Sequence, residues 1–152
     1  MACEIKILQS DDRGVLDNVA PGVFDNPPDS RLVAEFLGDD RHHLVVAIDQ
    51  GQVIGFASGV HYIHPDKSPE LWINEVGVAP SHQGRGIGTA VTQALLEHGK
   101  ALGCGEAWVL TDRSNNAAMR LYASIGGQEA TADQVMFTFF LNAERANRGE
   151  AG

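Results

Sequence analysis

Cysteine is scarce in this chain. Cys3 and Cys104 are its two thiols, and no spacing suits a disulfide framework, a structural zinc or a redox pair, which fits a reducing, cytoplasmic setting. Cys104, between two glycines, reads as turn or core packing rather than chemistry. Basic charge is also thin: 11 Lys and Arg stand against 20 Asp and Glu, for a net charge of −9. Without a basic cluster or stripe, a groove for nucleic acid is excluded. The acidic balance favours cationic ligands, or serves solubility alone. No apolar run approaches the roughly 20 residues that cross a bilayer, so no membrane partner is expected. Met1 to Lys6 has neither a basic start nor an apolar stretch, so no secretory leader is expected. The six histidines lack metal-site spacing and read as solvated or satisfied; no metal is expected.

At 152 residues the chain suits one domain, 1–141, followed by a polar, frayed tail over 142–152. Glu4 to Gln9 alternates as a strand. A helix is expected from the Asp11-Asp12 cap to about Ala20, where Pro21-Gly22 breaks it. Asp29-Ser30 caps a second helix, from Arg31 to Leu37. His43 to Asp49 and Gln52 to His61 form a hairpin about Gln50-Gly51. Glu70 to Ala79 is a fourth strand and Glu106 to Thr111 a fifth, with a long helix to Leu102 between them. Asn115 to Ile125 is a last helix, closed by Gly126-Gly127. Gln134 to Leu141, β-branched and aromatic, reads as a final strand. The order β-α-α-β-β-β-α-β-α-β describes a mixed α/β sheet with helices on both faces.

The most informative run is Gln83-Gly84-Arg85-Gly86-Ile87-Gly88-Thr89, between the fourth strand and the long helix. Glycines at alternate positions bare backbone N–H groups where a helix starts, and a helix N-terminus carries partial positive charge and unpaired donors. Such a loop grips an anion, most simply a pyrophosphate. Arg85 adds a permanent charge. No Gly-Lys-Ser/Thr triplet follows, so this is not a P-loop, and Gly88 comes one residue early for a dinucleotide fingerprint. A second pattern, Asn115-x-x-Ala118-x-x-Leu121-Tyr122, sets residues 115, 118 and 122 on one helix face.

Gln-x-x-Gly-x-Gly after a strand and before a helix, with the second pattern downstream, resembles the GNAT superfamily of N-acetyltransferases over nearly the whole chain. The resemblance implies a central mixed sheet of about six to seven strands flanked by four helices, with acetyl-CoA as cofactor. It implies cofactor contacts at Val76, Gly77, Val78, Gln83, Gly84, Arg85, Gly86, Ile87, Gly88, Thr89, Asn115, Ala118 and Tyr122. Tyr122 would protonate the leaving thiolate. The fourth strand would splay from the fifth to admit pantetheine, with Gly77 as the site of the bulge this requires. For the base, Glu75 is the leading carboxylate, since a charge in the apolar strand Leu71 to Val76 is costly without a task or a partner. Burial would suit a carboxyl to proton transfer; a structural ion pair is the competing account.

Tyr62-Ile63-His64-Pro65 and Glu70 to Val78 are similar to the small type I aminoglycoside 3-N-acetyltransferases. That likeness implies an acetyl acceptor that is a cationic small-molecule amine, in the class an aminoglycoside whose acetylation confers antibiotic resistance. Glu75, Asp112, Tyr62, Asp25 and Asp29 would then face the acceptor, although Asp112 could instead cap a turn. The charge-free run Val135 to Phe140 departs from that class and offers a surface for a homodimer. An acetyltransferase for a polyamine, amino acid or protein amine would share the cofactor half, as would a non-catalytic acyl-CoA sensor.

Overall fold

The computed structural model describes residues 3–142. A single five-stranded sheet runs in chain order: β1 (Glu4–Ile7), β2 (His42–Asp49), β3 (Gln52–Tyr62), β4 (Glu70–Val78) and β5 (Glu106–Val109). Three α-helices accompany it among the described residues, α1 (Ser30–Gly38), α2 (Ile87–Ala101) and α3 (Asn116–Ser124). The first four strands pair antiparallel, and β5 joins β4 in parallel. A parallel partner needs a crossover, which α2 supplies. None of the helices described is long and apolar enough to cross a membrane.

Local chemistry explains the elements. Gln50 and Gly51 both take positive φ at the β2–β3 turn, the backbone hand that matches the twist of a two-residue hairpin. Asp29 starts α1 by accepting the N–H groups of Arg31 and Leu32. Val45, Val46, Val53 and Ile54 are fully buried, so the middle of the sheet is covered on both faces. α2 lays Ile87, Val91 and Leu95 on the sheet at helical spacing. Gly99 admits Leu71 so closely that a Cβ would meet its Cδ2 at 2.8 Å. Each of these buried aliphatic side chains contributes about 1.5–3 kcal/mol.

The sheet has five strands and three α-helices among the described residues rather than six to seven strands and four helices. The helix expected after Asp11-Asp12 is a single 3-10 segment, Arg13–Asp17. It stops because the chain joins the sheet instead: Val19 bridges Val53, and the Val53 N–H donates to the Asn18 carbonyl. The run Gln134 to Leu141 is irregular and exposed rather than a strand. Strand preference is largely a measure of packing against neighbours, and here the run lacks a paired neighbour. Of the tail expected over 142–152, residues 143–152 lie outside the described residues.

Candidate functional site

The site begins with a break in register. Ser58 pairs with Glu75 but Gly59 pairs with Ile73, which leaves Asn74 as an extra residue in β4. The bulge therefore lies at Asn74, not at Gly77. Gly77 is small for another reason: a Cβ there would lie 2.5 Å from the Val23 carbonyl and 2.8 Å from the Phe56 ring. The extra residue also switches the faces. Before it, Leu71 packs on α2; after it, Val76 and Val78 lie beside Gly88 of α2. Glu75 and Gly77 consequently point to the opposite face, toward Phe56 and α1. A one-residue slip moves every later side chain across a sheet, and bulges commonly re-aim one beside a site.

β4 and β5 pair only over Glu70–Ile73 and Glu106–Val109. Beyond Ile73 the β4 backbone is unpaired on that side among the described residues, so the expected splay is present. Into the opening faces the glycine loop. Gly84 and Gly86 hold φ of 77° and 78°, a left-handed conformation that favours glycine, and open space surrounds the position of each missing Cβ. Gly86 is the N-cap of α2 and supplies no side chain to it, so the first-turn N–H groups stay available to an anion.

These parts line one cleft of about 910 Å³. Of the residues expected at the cofactor, Val76, Gly77, Val78, Gln83, Gly84, Gly86, Ile87, Gly88, Thr89, Asn115, Ala118 and Tyr122 line it. Arg85 is exposed on the loop and is not among them. Asn115 also caps α3, its Oδ1 accepting the Ala118 N–H at 3.1 Å. Tyr122 is half-buried, and burial raises its phenol above the ordinary value of 10, which holds the proton on the oxygen.

A second cavity of about 340 Å³ lies against α1 and shares Asp25, Phe56 and Glu75 with the cleft. Glu75 is exposed at this junction rather than buried, because the bulge turns it out of the α2 core. Asp29 lines the second cavity only, and its carboxylate is engaged by α1. Tyr62 and Asp112 line neither. The Tyr62 hydroxyl instead accepts from Trp108 Nε1 at 3.0 Å. Asp112 begins the turn before α3, its carbonyl accepting the Asn115 N–H.

Residues 12–126 match the Acetyltransferase (GNAT) family. The chain belongs to that family. It is 39% identical over 89 residues to the mycothiol acetyltransferase of Thermomonospora curvata, a match covering 57% of this chain but 28% of that protein. It is 30% identical over 106 residues to the N-alpha-acetyltransferase RimI of Mycobacterium tuberculosis, covering 70% of this chain and 65% of RimI. The chain thus spans between about a quarter and two thirds of these relatives. Among solved structures, an aminoglycoside acetyltransferase from an uncultured soil metagenomic sample superposes with a TM-score of 0.77. That match has 22% identity and covers 93% of this chain and all of the other. AAC(6')-Iy, solved with a CoA bisubstrate analog, gives 0.74 at 22% identity, covering 92% of this chain and 99% of its own. At such identity the structures establish a shared fold.

Acetyltransferases of this family draw their acetyl group from acetyl-CoA. The residues present fit that cofactor: two left-handed glycines, an uncapped helix start and a strand edge unpaired among the described residues face one cleft. The cleft also holds residues that the sequence did not single out. His82 lines it and bonds Asp49 Oδ2 at 3.0 Å through Nε2. Arg120 stands on α3 between Ala118 and Tyr122, and Gly22 also lines the cleft, close against Pro80. The position of His82, directly before Gln83, was the available signal for it.

Proposed function

We propose that the protein transfers the acetyl group of acetyl-CoA to a primary amine of a small cationic acceptor. The observation that carries this reading is the meeting of two cavities at Glu75, one bounded by the glycine loop and Tyr122, the other by α1. Bound acetyl-CoA supplies a thioester-activated acetyl group. Gly84, Gly86 and the first turn of α2 hold the diphosphate, and the open edge of β4 receives the pantetheine arm. Glu75 takes a proton from the amine nitrogen, since only a neutral amine is a nucleophile. Backbone N–H groups of splayed β4 offer donors for a carbonyl oxygen gaining charge. Tyr122 keeps a proton on its oxygen for the departing sulfur.

Within this reading, 3-N-acetylation of an aminoglycoside draws support from the carboxylates of Asp25 and Glu75. It loses the help expected from Tyr62 and Asp112, which stand outside both cavities. The test is release of free thiol from acetyl-CoA against a panel of amines that includes gentamicin-like drugs. Acetylated product with any of them is expected. Tight acetyl-CoA binding with silence on every amine would instead favour a non-catalytic acyl-CoA sensor.

We further propose a homodimer built on the segment Val135 to Leu141. Its large apolar side chains are exposed, whereas soluble monomers seldom display so much contiguous apolar surface. The outer edge of β5 is unpaired among the described residues.

A further inference from the structure

We infer that the cavity against α1 is an acceptor pocket for a primary amine carried on a compact apolar body, such as an aryl-alkyl group or an apolar first residue of a peptide. This rests on the acetyltransferase reading and names the acceptor for that same site.

The pocket combines a mostly apolar lining with three carboxylates. Its walls are mostly apolar: Phe24 and Phe56 stack with centroids 4.2 Å apart, Leu32, Phe36 and Leu44 are among the other lining residues, and Asn26 and Ser58 are the neutral polar ones. The acids stand at the ends. Glu75 and Asp25 lie where the pocket meets the cofactor cleft. Asp29 accepts two backbone N–H groups of α1 through Oδ1, which leaves it less free to hold a cation. An amine entering here places its nitrogen at Glu75 and its body among phenyl and leucyl side chains. A polycation would have to lay further ammonium groups against those rings, and an unpaired buried charge is strongly disfavoured.

Two further features agree. The volume of about 340 Å³ lies near the small end of the roughly 300–1,000 Å³ range of ligand pockets, suited to one ring and a short chain. Leu32, on α1 at the pocket's rim, is 55% exposed. A large apolar side chain held in solvent at a pocket mouth gains a role if the ligand covers it.

The test measures kcat/KM by thiol release from acetyl-CoA across ethylamine, butylamine, phenethylamine and tryptamine, with spermidine and gentamicin as polycations. Tetrapeptides beginning with Phe, Leu or Ser form a further arm. A buried methylene is worth roughly fourfold in affinity, so kcat/KM is expected to rise at least tenfold from ethylamine to phenethylamine. Leu32→Asp, at an exposed position, is expected to cut kcat/KM for phenethylamine at least tenfold and for ethylamine far less, with the acetyl-CoA Kd unchanged. Preference for the Phe peptide over phenethylamine assigns the site to protein amino-termini, and the reverse assigns it to free amines; either supports the pocket. A flat alkyl series, or higher kcat/KM on spermidine or gentamicin than on every apolar amine, overturns the inference and leaves acetyl transfer standing. No thiol release from any amine while acetyl-CoA still binds would remove the acetyltransferase reading itself.

Discussion

In the proposed reaction Tyr122 and Glu75 divide the proton work, and their surroundings differ. Tyr122 is half-buried and its pKa is raised by desolvation, so it remains a proton donor across the neutral and mildly alkaline range. Tyr122→Phe should lower kcat while leaving the acetyl-CoA Kd nearly unchanged, because the lost group acts on the departing sulfur. With a phenol pKa above 10, wild-type activity should show no tyrosine-linked loss below about pH 10. An unaltered kcat in the Phe variant would remove Tyr122 from the mechanism. Glu75 stands exposed at the join of the cavities. Glu75→Gln should cut kcat by about 10²–10⁴-fold, the usual reach of a positioned base; full activity would pass the task to another group. Gly86 makes a separate claim. Its φ of 78° makes Gly86→Ala cost about 1–2 kcal/mol of stability, and the new methyl group would stand in the open space that the proposed diphosphate occupies. Calorimetry should therefore show weakened acetyl-CoA binding in a folded variant.

Elements with short-range causes were legible in the sequence. The Gln50-Gly51 hairpin, the cap at Asp29 and the glycine loop before α2 each depend on a few adjacent residues whose backbone chemistry is specific. The bulge at Asn74 was not legible, because Leu71 to Val78 is apolar enough to read as a strand in either register. Nor was the bridge from Val19 to Val53 that truncates the first helix, since it joins residues far apart in the chain. Distance also hid a histidine cluster. His43 on β2 bonds His61 on β3 at 2.7 Å and His98 on α2 at 3.1 Å, while the residue is only 7% exposed. Burial, then the neighbouring His98 and His61, lowers the His43 pKa from 6.5 to about 4; His98 is lowered too, chiefly by burial. Between about pH 6.5 and 4 the unfolded chain therefore binds more protons at His43 than the folded one does. Stability is full above that window and falls as pH drops through it. Urea midpoints should decline from pH 7 to pH 4, and His43→Phe should flatten that decline. An equal slope in the variant would place the acid sensitivity elsewhere.

For the whole molecule, the sheet is covered at its centre and left open at one end. β2 and β3 are buried along most of their length, while β5 contributes four residues and has no outer partner among the described residues. Past α3 the chain carries Val135, Phe137, Phe139 and Leu141 at 77%, 79%, 80% and 94% exposure. These residues alternate, so in a strand they would share one face. An unpaired edge and an unsheltered apolar strand sequence are mutually complementary, and an edge strand is a template for another chain. The net charge of −9 works against indiscriminate clumping, which favours the proposed pairing of two copies over open-ended association. Sedimentation equilibrium should then give twice the mass of the chain. Phe137→Asp with Phe139→Asp should shift the mass toward one copy, because each charge would have to be desolvated at the contact. Acetyl-CoA affinity should persist in that variant, since neither residue lines the cleft beside the glycine loop. A wild-type protein that sediments as a single copy at every concentration would mean that this segment folds back on its own chain, and the dimer would be discarded.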